Sequence, residues 1–196
     1  MSKYFNKIAC GFNVMPLQIA LRRQPGLFGK YNQRCDSAES PHRESSDIWI
    51  RYNSIESVLN CDKQLDSEHP ANKEHKSVWY PAYYQLPDIR AIVFDLMRIV
   101  EGEELGTILV VKVPPKKQIY THTDGGWGAE YYEKYLIPIQ CYLGTSINFP
   151  DGTIIPELGA TYWFDNSIDH NAINESNEDM VVLIVTIRSD KVKDAK

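Results

Sequence analysis

The most constraining feature of the sequence is a change of apolar period after Gly102. Upstream, apolar residues recur at helical spacing. Downstream they alternate in short runs separated by turn residues, as half-buried strands do. Residues 105–113, 118–124, 135–143, 147–149, 153–155 and 160–165, a short run from His170, and Met180–Arg188 all read as strands. Pro150-Asp151-Gly152 supplies a turn between two of them. Seven or so short strands punctuated in this way predict a β-sandwich or barrel. A jelly roll fits best, because its mouth gathers side chains from strands far apart in the chain.

The first half supports that core. Residues 15–24 read as a short helix ended by Pro25-Gly26, and residues 30–46 as a polar loop. Residues 47–52 read as a strand with Ile48, Ile50 and Tyr52 on one face and Trp49 and Arg51 on the other. Residues 61–76 are charged without apolar period, so an exposed loop covering one mouth is expected there. Across 87–100, Ile89, Ile92, Val93, Leu96, Met97 and Val100 form one helical stripe suited to a sheet. Pro87 suits its first turn and Gly102 its stop. The expectation is a mainly β fold with supporting helices, in one domain over 1–196. Residues 1–104 give helical and loop support with one strand, 105–188 the metal-binding jelly-roll core, and 189–196 a charged tail.

Composition narrows the function. A net charge of -5 argues against a general nucleic-acid binder. No apolar run approaches the ~20 residues that span a bilayer, so no membrane partner is expected. The first residues lack the apolar core of a signal peptide, which makes cytoplasm the expected location. Cys10, Cys35, Cys61 and Cys141 are irregularly spaced without a CxxC pair and read as free thiols.

The chemistry concentrates at residues 118–127. On an extended strand Tyr120, His122 and Asp124 share a face, so one imidazole and one carboxylate can grip the same ion. Gly125-Gly126 then turns the chain away. A second histidine would complete two histidines and one carboxylate on one face of an octahedral metal, leaving positions open for reactants. His170, which follows a loop and opens a strand, is the candidate. An H-x-D tripeptide is short enough to arise by chance, so its place at a strand end before a glycine turn carries the weight. His42, His69 and His75 lie in polar sequence and read as solvated. Zinc, cobalt or nickel would also bind such ligands in vitro.

Several segments together resemble the aspartyl/asparaginyl β-hydroxylase family. They are Ser40-Pro41-His42 before the strand of Arg51, HTDGGW at 122–127, IPIQ at 137–140, YWFDNSIDH at 162–170 and VVLIVTIR at 181–188. That family is a branch of the Fe(II)- and 2-oxoglutarate-dependent oxygenases and includes bacterial free-proline hydroxylases. The resemblance covers most of the chain and is densest from about Lys112 to Arg188. It implies a double-stranded β-helix (a cupin-like jelly roll), Fe(II) as metal and 2-oxoglutarate as cosubstrate. It also implies His122, Asp124 and His170 as iron ligands, and a dioxygenase that hydroxylates an amino acid or an Asp, Asn or Pro side chain in a peptide or protein. Trp127, Arg51 and His42 match positions near the family's active-site mouth and are candidate substrate contacts. Asn166 and Asp169 flank His170 and are candidates to orient it.

One position departs from the pattern. The family commonly carries an arginine ten residues after the distal histidine, where it pairs with the far carboxylate of 2-oxoglutarate; here that residue is Met180. A thioether cannot make that pair. Lys134, matching a position often basic in bacterial relatives, is the first substitute; a solvated charge in the helix-like run 130–134 is the plain alternative. Lys112 is a weaker substitute, and so is Arg188, which shares a strand face with Met180 but lies roughly 26 Å away at ~3.3 Å per residue. Met180 motivates a rival reading, a non-catalytic jelly-roll binding module that has lost normal cosubstrate binding. A metal-dependent cupin-type isomerase or lyase is a third.

Overall fold

The computed structural model describes residues 2–59 and 77–189. The loop expected over 61–76, with Cys61, His69 and His75, and residues 190–196 of the expected tail lie outside the described residues.

The chain opens with β1 (Phe5–Ala9) and α1 (Met15–Arg23). After a turn-rich segment come β2 (Ser46–Asn53), α2 (Ile55–Leu59), β3 (Ser77–Trp79), α3 (Ala82–Gln85) and α4 (Ile89–Ile99). Then follow β4 (Glu104–Val113), β5 (Lys117–His122), the short α5 (Trp127–Tyr131), β6 (Glu133–Gln140) and β7 (Thr145–Phe149). The last strands are β8 (Gly152–Ile154), β9 (Thr161–Phe164), β10 (His170–Asn174) and β11 (Met180–Arg188). The sequence did not announce β1, β3, α2 or α3, all of five residues or fewer. Among the described residues, no helix is long and apolar enough to cross a membrane.

Two antiparallel sheets make the architecture, a mainly β jelly roll. One has the order β1-β9-β6-β11-β4-β2-β3, and the other β5-β10-β7-β8. Alternation along the central strands of the larger sheet divides its side chains between two cores. Ile108, Val110, Ile137, Ile139, Leu183 and Val185 face α1 and α4. Leu109, Val111, Leu136, Met180 and Val182 face Ile119, Ile147, Phe149 and Ala172 of the smaller sheet. Lys134 has the parity of Leu136, so the same alternation turns it inward between the sheets.

Helix α4 closes the outer core. Ile89, Ile92, Val93 and Leu96 are essentially inaccessible, as the apolar stripe predicts. The helix starts at Ile89, two residues after Pro87, because Asp88 takes the N-cap position. Its end also differs from the expectation. Glu101, not Gly102, takes the left-handed conformation, at φ 52°. Gly102 donates its N–H back to Met97 O at 2.8 Å. A Cβ at Gly102 would lie 2.4 Å from Ile187 Cγ2, so close packing on β11 is what requires glycine there.

Two β-bulges correct the faces read from strict alternation. Trp49 pairs with Leu109 and Arg51 with Ile108, which leaves Ile50 as an extra residue in β2. A bulge reverses the in-out order beyond it. Tyr52 therefore joins Trp49 in the inter-sheet core, and Arg51 is turned to the carbonyls of Leu105 and Ser77. In β5, His122 pairs with His170 but Ile119 with Ala172, so β5 holds one extra residue. Ile119 and His122 consequently both face the space between the sheets. The strand also stops at His122, leaving Asp124 in the following turn.

Leu96 is completely buried between α4 and the large sheet. Leu96→Ala should lower the unfolding free energy by about 2–5 kcal/mol in urea titrations, and a loss below about 1 kcal/mol would contradict this packing.

Candidate metal centre

Antiparallel pairing of β5 and β10 places His122 opposite His170. Their ring centroids are 4.4 Å apart. Each imidazole is fixed from behind, His122 Nδ1 against Tyr120 O and His170 Nδ1 against Ile168 O, both at 2.8 Å. Neutral rings donate from Nδ1 in these contacts, which leaves Nε2 of each with its lone pair. Asp124 is positioned by its backbone N–H, which donates to Asn166 O at 2.8 Å. Its Oδ1 stands 3.7 Å from His122 Nε2. One ligand atom from each of His122, Asp124 and His170 lies within 4.8 Å of the others. Gly126, with φ 83°, makes the turn that leads away into α5.

The cluster opens on a cavity of about 530 Å³ between the sheets. Its walls are mostly apolar, with Leu109, Val111, Leu136 and Val182 from the large sheet and Ile119 and Ile147 from the small one. Among the described residues lining it, the cations are Lys134 and Arg34. Lys134 Nζ is bonded to Asp124 Oδ2. Arg34 reaches from the segment before β2 and donates through Nη2 to His42 Nε2 at 3.0 Å. His42 in turn sets its ring edge-on to that of His122, with centroids 4.8 Å apart.

Burial governs the protonation of the rings. It pushes the His170 imidazole down to about 4, with Lys134 adding to the effect. Burial likewise lowers His122, and holds His42 well below the ordinary range with help from Arg34. Burial alone would raise the Asp124 carboxyl, but Lys134 first and then the two histidines outweigh it and hold that carboxyl ionised. Two neutral imidazoles and one carboxylate are the protonation states in which these groups bind a divalent cation.

The other residues singled out in the sequence scatter. Lys134 lies on β6 and lines the cavity, not in a helix-like surface run. Met180 lines it too and is 1% exposed, beside Val113 in the neighbouring strand. His42 is half-buried at the cavity wall rather than solvated in a loop. Arg188 lies over the Tyr131 ring, and Lys112 lies over Phe28 and near Asp179; neither lines the cavity. Arg51 does not reach it either, because of the bulge in β2. Trp127 begins α5, and its side chain lies outside the described residues. Asn166 lines the cavity and serves Asp124 through its carbonyl, whereas Asp169 does not line it. Cys10, Cys35 and Cys141 are free thiols. Arg34 and Tyr52 were missed. Arg34 sits in aperiodic sequence, and the inward turn of Tyr52 depends on a bulge that its own segment does not encode.

This architecture is shared with solved Fe(II)/2-oxoglutarate oxygenases. The viral collagen prolyl hydroxylase of Paramecium Bursaria Chlorella virus-1, solved with 2-oxoglutarate, is 12% identical with a TM-score of 0.56, over 96% of this chain and 97% of that one. A Trichoplax adhaerens prolyl hydroxylase, solved with a hypoxia-inducible-factor peptide fragment, is 8% identical with a TM-score of 0.59, over 100% and 88%. A 2OG-Fe(II) oxygenase-family oxidoreductase from Burkholderia pseudomallei is 8% identical with a TM-score of 0.51, over 74% and 67%. Among curated protein sequences nothing matches. The family model for aspartyl/asparaginyl β-hydroxylase matches residues 62–190, and the chain belongs to that family.

The lowered histidines have a consequence for stability. An unfolded His170 returns to its ordinary 6.5, so between about 4 and 6.5 the unfolded chain binds the extra proton. Metal-free protein should keep its full thermal stability above pH 6.5 and lose it progressively toward pH 4, and His170→Gln should flatten part of that decline. Equal pH slopes for the two proteins in thermal melts would contradict the burial argument.

Proposed function

We propose that this protein is an Fe(II)- and 2-oxoglutarate-dependent dioxygenase that hydroxylates an unactivated C–H bond of an amino acid, or of an Asp, Asn or Pro side chain in a peptide. The observation that carries the reading is His122 Nε2. It is buried, has no hydrogen-bond partner among the described residues and belongs to the His122, Asp124 and His170 cluster. A buried nitrogen left bare costs stability unless something fills its lone pair, and a divalent cation does so. Two neutral imidazoles and one carboxylate suit a non-haem iron. Family membership and fold support the same reading. The peptide held by the Trichoplax enzyme favours a peptide among the possible substrates.

His122, Asp124 and His170 would hold the iron, which when bound activates dioxygen alongside the oxoacid. Tyr120 O and Ile168 O hold Nδ1 of each ring, which would leave both Nε2 lone pairs for the ion. Overall, 2-oxoglutarate and dioxygen give succinate and carbon dioxide, and the target C–H becomes C–OH. The apolar walls exclude water from the reacting atoms. Lys134 supplies positive charge for a carboxylate of the oxoacid, since Met180 leaves its own part of the wall apolar. Burying that carboxylate against Met180 unpaired would cost several kcal/mol. The same residue is the specific ground for the rival reading, a binding module without turnover.

Anaerobic addition of Fe(II) and then 2-oxoglutarate should produce a metal-to-ligand absorption band in the visible. A folded sample that stays colourless would count against the oxygenase. His122→Ala, Asp124→Ala and His170→Ala should each weaken metal binding by about a hundredfold or more. Lys134→Met should weaken 2-oxoglutarate by about tenfold to a hundredfold, while leaving the metal bound. Succinate formation coupled to oxygen uptake separates the enzyme from the module.

A further inference from the structure

We propose that Arg34 is a second carboxylate anchor of the cavity, distinct from Lys134, held ready by Asp47 and His42. The inference rests on the oxygenase reading only in taking the cavity as the place where reactants bind.

The arrangement of Arg34 is not that of a purely structural ion pair. Asp47 is completely buried, and the Arg34 side chain is 14% exposed. A buried arginine that serves one carboxylate usually turns its fork to both oxygens at once. Here Nη1 bonds Asp47 Oδ2 alone, while Nη2 is turned away to His42 Nε2. The guanidinium is therefore spread between two partners, at the wall of the cavity rather than behind it. Asp47 fixes the charge, His42 fixes the plane, and several N–H groups of the guanidinium are not committed to either.

The segment carrying it is built to stay still. Ser40 Oγ donates to Arg34 O at 2.5 Å, and Ser45 Oγ to His42 O at 2.9 Å. Tyr120 of β5 donates its N–H to Pro41 O at 2.9 Å, which ties the segment to the strand that bears His122. Arg34 thus approaches the cluster through His42, from the chain before β2, and Lys134 approaches through Asp124, from β6. A fork held in place beforehand loses little freedom when it binds. Planar, forked donors match a carboxylate. The cavity accordingly offers two separate cationic points, for the outer carboxylate of the oxoacid and the carboxylate of an acidic or free amino-acid substrate, and Arg34 takes one of them.

The test uses the full chain loaded with Mn(II), by titration calorimetry in the absence of oxygen. Probes are 2-oxoglutarate, 2-oxobutyrate (which lacks the outer carboxylate), and, with oxoacid present, L-proline and L-aspartate against their α-amides. Arg34→Gln strands Asp47 as a lone buried charge, so Arg34→Met combined with Asp47→Leu, which removes both charges, is measured beside it. Arg34→Lys keeps charge without the fork. Loss of about tenfold or more for 2-oxoglutarate but not 2-oxobutyrate, in both charge-removing proteins and partly rescued by lysine, assigns Arg34 to the oxoacid. Loss of the preference for acid over amide, with 2-oxoglutarate unchanged, assigns it to the substrate. Folded variants that bind every probe as the parent does would overturn the anchor. A parent protein that binds Mn(II) but no oxoacid would instead overturn the oxygenase reading, and acid-over-amide preference alone would then decide Arg34.

Discussion

The site depends on one backbone interaction, the antiparallel pairing of β5 with β10 that sets His122 opposite His170. Forty-eight residues separate the two in sequence (170 minus 122), yet the ladder brings their rings to 4.4 Å. The extra residue in β5 then turns His122 to the side that Ile119 already occupies. Without that bulge, alternation would send the imidazole to the opposite face and leave His170 without its partner from β5. The site is thus a product of strand register first and of side-chain chemistry second.

The larger sheet supplies what a register alone cannot, a rigid and dry wall. Its inner face carries Leu109, Val111, Leu136 and Val182, and its outer face is sealed by α1 and α4. Into that apolar surface the alternation of β6 inserts one charge, Lys134, opposite Asp124. Low polarity around the pair strengthens their attraction, and the ammonium outweighs the burial that would otherwise raise the Asp124 carboxyl. The same surroundings keep the histidines neutral. The neutral imidazoles therefore follow from packing first, and the ionised carboxylate from Lys134 set against that packing.

Much of this was legible in the sequence, and the parts that were not share a cause. The alternation of Met180–Arg188 and the stripe of α4 are properties of single segments, so pattern reading finds them. The grouping of His122, Asp124 and His170 was legible because residue type and turn position coincide there. The inward turn of Tyr52 and the outward turn of Arg51 depend on a bulge, which arises from pairing with β4 and leaves no trace in the local period. Lys134 was picked out as a candidate, but its place was open between the site and a helix-like run at Glu130-Tyr131-Tyr132-Glu133; α5 ends at Tyr131 and pairing with β9 and β11 extends the rest. Arg34 was invisible because its significance comes from Asp47 and His42, and aperiodic loop sequence gives no sign of which charges will meet.

The most direct test of the metal centre is anomalous diffraction at the iron edge from crystals grown anaerobically with Fe(II). The account requires one strong peak bounded by His122 Nε2, His170 Nε2 and an Asp124 carboxylate oxygen. An ordered cavity with no peak there, or a peak held by other residues, would contradict it.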